Sequence, residues 1–283
     1  MREAIRLMRE TFAALRSGAA LNQPRRRLYL PTGAVLHSMA GAIGKYFGTK
    51  FYSAHAKYGA HFFFFLFDAE TAEPLAQMEA NWLGQIRTGA ATGFATDLLA
   101  PSDASTLGII GSGFQARSQL EAMREVRKFD RVRVFSRDKE KREKFAQETG
   151  SEAADTAEGA LHDAQIVLTA THSKDPVLES DWVMPGVHVN AMGSNNAQRR
   201  ELPSDLIRRA DLIVTDSIEQ AKIEAGDLLL APVDWSDSRI VELKDVTGRP
   251  QGAQLTIFKS LGLGVEDVAA AGYVYERAKG LSG

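Results

Sequence analysis

The stretch that decides the fold is Thr106-Leu107-Gly108-Ile109-Ile110-Gly111-Ser112-Gly113-Phe114-Gln115-Ala116. An apolar run leads into G-x-G-x-x-A, and a helical segment follows. Gly111 allows a tight turn, Gly113 lets a ligand approach the backbone, and Ala116 permits close packing of the helix on the strand. A helix that begins here points unpaired N–H groups at an anion. The pattern is typical of a strand–turn–helix unit that binds the pyrophosphate of a dinucleotide.

Apolar runs and helical segments continue to alternate after this loop. Further strands are predicted at 132–135, 166–170, 187–191 and 212–215, with a weaker one near 151–154. Helical segments lie between them at 116–128, 138–149, 155–163 and 203–210. Alternation of this length predicts an α/β protein with a doubly wound parallel sheet of the Rossmann type.

The two ends of the chain follow other patterns. Helices are predicted over 5–15, 82–99 and 265–279, a loop is predicted around Pro24, and two strands are predicted between Lys50 and Phe67. The run of six apolar residues from Phe62 to Phe67 predicts a strand that is covered on both faces, with a subunit interface as a candidate for one of the two covers. We expect residues 1–95 and 234–283 to form a second, discontinuous α+β domain around a Rossmann domain of residues 96–233.

Composition excludes several classes of function. The 283 residues contain no cysteine, so disulfides, thiolate metal sites and cysteine nucleophiles are excluded. The formal net charge of −2 provides no global basic field for nucleic acid. No apolar run is long enough for a membrane span, and the charged start lacks a signal-peptide core. The histidines show no metal-ligand spacing. We therefore expect a cytoplasmic protein with no metal, nucleic-acid or membrane partner.

The end of the second Rossmann strand predicts the cofactor. An acidic residue at this tip would bind the ribose 2′-hydroxyl, but Ser136 and Arg137 stand there instead. A guanidinium can pair with a 2′-phosphate, which favours NADP(H) by roughly ten- to a hundredfold. Asp138, two positions on, could still accept a bond from a ribose hydroxyl. NADP(H) is thus the preferred cofactor and NAD(H) the alternative.

Five stretches together resemble the ornithine cyclodeaminase/mu-crystallin family. They are Arg87–Thr92, Gly111–Ala116, Thr169–Val177, Pro185–Ser194 and Thr256–Gly262. They occur in the family's order and spacing over almost the whole chain. The resemblance implies a central nucleotide domain and a second domain, built from both chain ends, that binds substrate and forms a homodimer through its sheet.

The resemblance also implies roles for individual residues. Arg26, Lys50 and Arg87 match the residues that hold the carboxylate of a small amino or imino acid beside the nicotinamide. Two guanidinium groups and an ammonium suit that task, because they neutralise and orient a carboxylate. The positions at which the family contacts the dinucleotide are Thr88, Ser112, Gln115, Thr171, Met192 and Ser260.

Asn195 bears on the choice of reaction. It occupies the position where ornithine cyclodeaminases of the family carry an aspartate, and a carboxamide cannot act as a general base. The sequence therefore favours NAD(P)H-dependent reduction of a C=N bond next to a carboxylate, as in pyrroline-2-carboxylate. Glu79 and Asn195 are candidates to orient the nitrogen, and His61 is a candidate proton donor. The alternatives are an ornithine cyclodeaminase, an alanine dehydrogenase, and a dinucleotide-carrying protein without turnover.

Overall fold

The computed structural model describes residues 1–280, which divide into two compact units. The central unit contains Thr92–Leu261 together with Met1. The terminal unit contains Arg2–Ala91 and the described residues from Gly262 onward. The chain crosses between them at 91/92 and 261/262, whereas the sequence placed the boundaries at 95/96 and 233/234.

The elements are numbered along the chain. The first half contains α1 (Arg2–Ser17), β1 (Ala20–Tyr29), β2 (Val35–Ile43), β3 (Tyr46–His55), β4 (Gly59–Asp68), β5 (Pro74–Glu79), α2 (Asn81–Leu99), β6 (Thr106–Ile110), α3 (Phe114–Val126) and β7 (Arg131–Phe135). The second half contains α4 (Lys139–Thr149), β8 (Glu152–Ala153), α5 (Ala157–Leu161), β9 (Ile166–Thr169), β10 (Val187–Ala191), α6 (Ser204–Arg209), β11 (Leu212–Thr215), α7 (Ile218–Glu224), α8 (Gly226–Leu229), β12 (Ile240–Glu242), β13 (Leu255–Lys259) and α9 (Gly264–Ala278).

The central unit is built on an eight-stranded parallel sheet. Its strand order is β12-β11-β13-β10-β9-β6-β7-β8, so the order reverses direction between β6 and β9. All residues of β9, β10 and β13 are buried, as expected for strands covered on both faces. The predicted doubly wound sheet is confirmed. β12 and β13, which add residues 240–242 and 255–259 to this sheet, were not predicted from the sequence.

The terminal unit is built on an antiparallel sheet in the order β1-β2-β3-β4-β5. Phe64 and Leu66 are fully buried from solvent and pack with Val268 and Ala271 of α9. Phe63 points to the other face, where 45% of its surface is exposed. Within the single chain, the side chains of this strand alternate between a packed face and an open face. The expected cover on both faces stays a prediction, because it includes a subunit interface.

The segment predicted as a loop around Pro24 is part of β1. It pairs with β2 on both sides of a register shift between Gln23 and Arg26. Proline lacks a backbone donor, and β1 is an edge strand interrupted by this irregularity, so Pro24 is accommodated. The three consecutive arginines masked the strand pattern in the sequence.

Candidate functional site

Three basic side chains are buried in the terminal unit. Arg25, Lys50 and Arg87 expose 4%, 3% and 5% of their surfaces. They come from β1, β3 and α2. Buried cations are rare unless they are paired, so this arrangement needs counter-charges and points to a binding role.

The counter-charges come from the first turn of α9. Lys50 Nζ lies 2.7 Å from Asp267 Oδ2, and Arg87 Nε donates to Asp267 Oδ1 over 2.9 Å. Arg87 Nη1 donates to Glu266 Oε2 over 2.7 Å, and Arg25 Nη2 donates to the Gly262 carbonyl over 3.4 Å. Both carboxylates are fully buried. Nothing in the sequence marks these two carboxylates as partners of buried cations, because acidic residues are common in the first turn of a helix, where they interact favourably with its dipole.

The cluster retains capacity for an anion. Three cations and two carboxylates leave a formal charge of +1 when Lys50 is protonated. Burial and the neighbouring Arg87 lower the pKa of Lys50 to about 8, although Asp267 raises it in part. Burial raises the pKa of Asp267, but Arg87 and Lys50 outweigh that effect and hold it below the ordinary value. A ligand carboxylate would balance the remaining charge.

The structure places Arg25, not Arg26, in this cluster. Arg26 pairs with Ser38 on the open face of the sheet and is exposed. The register shift between Gln23 and Arg26 breaks the alternation of side chains, and Arg25 is buried. The family resemblance implied carboxylate binding by Arg26, but the arginine of β1 that the structure brings to Lys50 and Arg87 is Arg25.

Glu79 and His61 are not brought to the cluster. Lys50 pairs with Phe64 on the packed face of the sheet, whereas His61 pairs with Ser53 and Glu79 pairs with Phe63 on the open face. Both side chains are exposed. Glu79 Oε1 accepts a bond from the Asn81 amide at the start of α2. Within one protomer, neither residue is placed to act on a ligand at Lys50.

The glycine loop of the central unit fits a dinucleotide. Gly111 has φ +116°, and a Cβ there would lie 2.4 Å from the Ala170 carbonyl oxygen, so only glycine is accommodated. No side chain caps the N-terminus of α3, and a Cβ on Gly113 would meet nothing within 4 Å. Ala116 is fully buried against the sheet. Gln115 Oε1 is buried and has no hydrogen-bond partner within residues 1–280. The open space and the N-terminus of α3 suit a pyrophosphate, and the unsatisfied acceptor suits a neighbouring ribose hydroxyl.

The tip of β7 is arranged around two serines. Ser136 Oγ lies 2.7 Å from Ser112 Oγ, which ties this tip to the glycine loop. Asp138 caps α4, since its Oδ1 accepts from the Lys141 amide and its Oδ2 pairs with Lys141 Nζ over 2.9 Å. Arg137 is exposed and makes no hydrogen bond or ion pair with other residues in 1–280. Its guanidinium is therefore available to a ligand, while Asp138 is already engaged.

Glu201 joins the carboxyl ends of β9 and β10. Its buried carboxylate accepts from the amide and hydroxyl of Thr171 and from the Gly193 amide. Burial and Asp227 raise the pKa of Glu201. The sequence contains no signal for this residue, because Glu201 follows two arginines and has the pattern of a solvated surface.

The remaining predicted positions are distributed over both units. Met192 accepts a bond from Thr92 through its sulfur, Ser260 Oγ donates to Asp216 over 3.3 Å, and Asn195 is half-buried after β10. These three lie in the central unit. Thr88 lies in the terminal unit, where its hydroxyl donates to the Gly84 carbonyl over 2.7 Å.

Within residues 1–280, no helix has the length and apolarity needed to cross a membrane. The same residues contain no group of three or more acidic or histidine side chains that could hold a metal ion.

Known proteins resemble the chain along its length. It is 39% identical over 229 residues to a Delta(1)-pyrroline-2-carboxylate reductase of Bacillus cereus, covering 75% of this chain and 70% of the relative. It is 38% identical over 216 residues to ketimine reductase mu-crystallin of Mus musculus, covering 75% and 67%. The structure of Thermococcus litoralis Delta(1)-pyrroline-2-carboxylate reductase in complex with NADH and L-proline superposes with a TM-score of 0.92 at 30% identity, covering 99% of this chain and 94% of that one.

The family model for the ornithine cyclodeaminase/mu-crystallin family matches residues 1–282. On the strength of this match, together with the shared fold, the glycine loop and the cation cluster, the chain belongs to the ornithine cyclodeaminase/mu-crystallin family.

Proposed function

We propose that this chain is an NAD(P)H-dependent reductase of small cyclic ketimines that carry a carboxylate next to the C=N bond, such as pyrroline-2-carboxylate. The observation that carries the proposal is the buried cluster of Arg25, Lys50 and Arg87, whose charge exceeds that of Asp267 and Glu266 by one. The pyrroline-2-carboxylate and ketimine reductases among its relatives support this choice of substrate.

The cluster has donors left for a ligand. Nε and Nη1 of Arg87 are taken by the two carboxylates, whereas its Nη2 has no hydrogen-bond partner within residues 1–280. Lys50 Nζ has one anionic partner, Asp267, and an ammonium carries three donors. These donors bind the substrate carboxylate, and Asp267 and Glu266 keep them in place without neutralising them fully. The residues thereby orient the substrate for reaction.

The reaction requires little proton transfer by side chains of the protein. NAD(P)H supplies a hydride to the carbon of the protonated C=N bond, and the nitrogen becomes the amine of the product. Arg25, Lys50 and Arg87 bind and orient the acid, and no general base is needed. Cyclodeamination of ornithine would need such a base, but Asn195 stands where the cyclodeaminases carry an aspartate. This difference favours reduction over cyclodeamination.

The cofactor preference is for NADP(H). Arg137 projects an unengaged guanidinium from the tip of β7, and Asp138 is occupied as the cap of α4. A 2′-phosphate would pair with Arg137, while no free carboxylate competes for the ribose 2′-hydroxyl.

The active form is a homodimer. The open face of the antiparallel sheet exposes Leu21, Leu28, Leu36 and Phe63 by 44–69% of their surfaces. Large apolar side chains left exposed on one sheet face are typical of an interaction surface. A second copy of the chain, presenting the same face, would cover it.

The test follows NADPH oxidation by its absorbance with pyrroline-2-carboxylate as substrate. Pyrroline-5-carboxylate, whose C=N bond is not next to the carboxylate, serves as control and should react far more slowly. R25M should lower kcat/KM at least tenfold, while the matched variant R26M should remain close to wild type. NADPH binding without turnover would indicate a carrier protein instead. Formation of proline and ammonia from ornithine, or reduction of NAD by alanine, would indicate one of the other two activities.

A further inference from the structure

The carboxylate of Glu201 gathers the hydrogen-bond donors at the ends of two neighbouring strands. Oε1 accepts from the Thr171 amide over 2.6 Å and from the Thr171 hydroxyl over 2.8 Å. Oε2 accepts from the Gly193 amide over 2.7 Å and from the Thr169 hydroxyl over 2.9 Å. Each oxygen therefore binds one backbone N–H and one hydroxyl, and the side chain is completely buried.

The buried ion pair of Asp227 and Lys259 holds the backbone of Glu201 in position. The amides of Glu201 and Leu202 donate to Asp227 Oδ1 over 2.6 and 2.9 Å. Asp227 Oδ2 pairs with Lys259 Nζ over 2.9 Å, and Lys259 also donates to the Ser194 carbonyl over 2.6 Å. Lys259, Asp227 and Glu201 are all fully buried. Water does not compete for these bonds, so the geometry of the loop ends is fixed before any ligand arrives.

The loops that follow β9 and β10 are also in direct contact, through Thr171 and Gly193. A Cβ on Gly193 would lie 2.0 Å from the Thr171 carbonyl oxygen and 2.4 Å from Glu201 Oε1, so no larger residue fits. The backbone of Thr171 and the carboxylate of Glu201 are therefore packed directly against Gly193.

The carboxyl ends of β9 and β10 form one edge of the sheet, and this arrangement fixes which hydrogen-bonding groups that edge presents. The amides of Ala170 and Met192 donate to the carbonyls of Ile110 and Thr169, and those of Thr171 and Gly193 donate to Glu201. The Thr171 hydroxyl proton is also directed at Glu201. Thr171 is half-buried, and the one bond that its hydroxyl oxygen accepts from the described residues 1–280 is a long one of 3.3 Å from the Ser173 amide. The edge therefore offers an oxygen acceptor and no free donor from these four amides.

We propose that Glu201 is a positioning residue that turns Thr171 Oγ1 into an acceptor for the carboxamide N–H of the nicotinamide. Ligands of open α/β sheets bind at the carboxyl ends of the strands beside the point where the strand order reverses, and β9 lies at that point. At the nicotinamide end of the cofactor, the carboxamide NH2 is the hydrogen-bond donor. This inference rests on the proposed dinucleotide function, and it makes the edge selective for the amide over a methyl ketone or a carboxylate at the same ring position.

The experiment measures binding by calorimetry, without turnover. The ligands are NADP and two analogues, one with 3-acetylpyridine and one with nicotinic acid in place of nicotinamide. Wild-type protein should bind the acetylpyridine analogue about five- to tenfold more weakly than NADP, as expected for one net hydrogen bond. The nicotinic acid analogue should bind more weakly still, because its carboxylate would face an acceptor.

Two variants of Thr171 separate this role from packing. T171S keeps the hydroxyl and should keep the discrimination, whereas T171V keeps the shape and should bind NADP and the acetylpyridine analogue within twofold of each other. E201Q places an amide NH2 against a backbone N–H, so it should reduce the discrimination even where NADP still binds. Equal discrimination in T171V and wild type would overturn the inference and leave the proposed function intact. A failure of wild-type protein to bind any nicotinamide dinucleotide would instead overturn the proposed function.

Discussion

Lys50 and Asp267 form a buried ion pair, with 2.7 Å between Nζ and Oδ2, in which the lysine belongs to the buried cluster of three cations. Asp267 also accepts a bond from Arg87 Nε over 2.9 Å, so one carboxylate holds two of the cations in place. Burial disfavours the charged form of a lysine, so the proposed binding of an acid at this cluster requires that Lys50 keep its proton.

The pKa of about 8 for Lys50 predicts a pH limit on substrate binding. Below pH 8 the ammonium is charged and assists the carboxylate, and above pH 8 it becomes neutral and the bond weakens. We expect the affinity for pyrrole-2-carboxylate, whose ring nitrogen does not titrate here, to fall by roughly ten- to thirtyfold between pH 7 and pH 9.5, because one deprotonation with a pKa of about 8 allows no larger change over this range. Inhibition constants over this range provide the measurement. K50R stays charged and should show a flat profile; a wild-type profile as flat as that of K50R would contradict the prediction.

Removing the charge of Asp267, which Lys50 and Arg87 share, should lower the free energy of unfolding. D267N leaves Lys50 and Arg87 with one neutral partner in a buried site, and breaking a buried ion pair costs about 3–5 kcal/mol. Urea unfolding at pH 7 measures the change. Asp267 raises the pKa of Lys50. In folded D267N protein, the pH above which pyrrole-2-carboxylate binds more weakly should therefore move below 8. E10Q, on the exposed face of α1, is the control and should leave the unfolding midpoint unchanged. A midpoint for D267N equal to that of E10Q would show that the pair is not stabilising.

The central sheet could be predicted from the sequence because its strands are buried on both faces and appear as unbroken apolar runs. β6 and the glycine loop are the strongest case, since strand, turn and helix follow one another within a single short stretch. β12 has three residues, too few for a recognisable run. β13 ends in Lys259, and a lysine gives no indication in the sequence that it is fully buried.

The positions of side chains in the terminal unit were harder to predict from the sequence, because the register of the strands decides which face of the sheet each side chain occupies. A single irregularity in β1 decides that Arg25 rather than Arg26 is buried, and no spacing rule detects it. The alternation of β4 and β5 likewise places His61 and Glu79 on the open face, away from Lys50. Asp267 lies far from Lys50 in the sequence, so their pairing depends on how α9 packs on the sheet.

The free guanidinium at the tip of β7 predicts the cofactor selectivity. R137A should weaken NADPH binding by roughly ten- to a hundredfold and NADH binding by less than about threefold, because only NADPH carries the 2′-phosphate. Fluorescence titration gives both dissociation constants. D138N retains an oxygen that can cap α4 and should leave the ratio unchanged. An equal loss for both cofactors in R137A would assign the arginine to the shared part of the dinucleotide.

The open apolar face predicts the oligomeric state. L36D places a charge on this face, and we expect it to convert a wild-type dimer into a monomer, as measured by size-exclusion chromatography with light scattering. L230D is the matched control, because Leu230 is exposed to a similar degree in the central unit. It should remain dimeric. A monomeric wild-type protein at micromolar concentration would refute the assignment of this face.

A buried histidine in the central sheet predicts how the protein responds to acid. His188 is fully buried, its Nδ1 lies 2.9 Å from Thr256 Oγ1 and its Nε2 lies 3.2 Å from Asn190 Oδ1. Burial and Arg249 lower its pKa to about 3. Below pH 6.5 the unfolded chain takes up a proton that the folded chain does not, so stability falls as the pH is lowered. The expected loss between pH 6.5 and pH 5 is about 2 kcal/mol, at about 1.4 kcal/mol per pH unit.

The matched variants for this prediction are H188Q and H162Q. H188Q should be less stable than wild type at pH 7, because it disturbs the packing of β10, but its stability should change less between pH 7 and pH 5. His162 is exposed beside Asp163, so H162Q should keep the full acid sensitivity of the wild type. Urea unfolding at pH 7, 6 and 5 compares the slopes. If H188Q and wild type lose stability at the same rate, the acid response comes from other groups, and the buried imidazole is not its source.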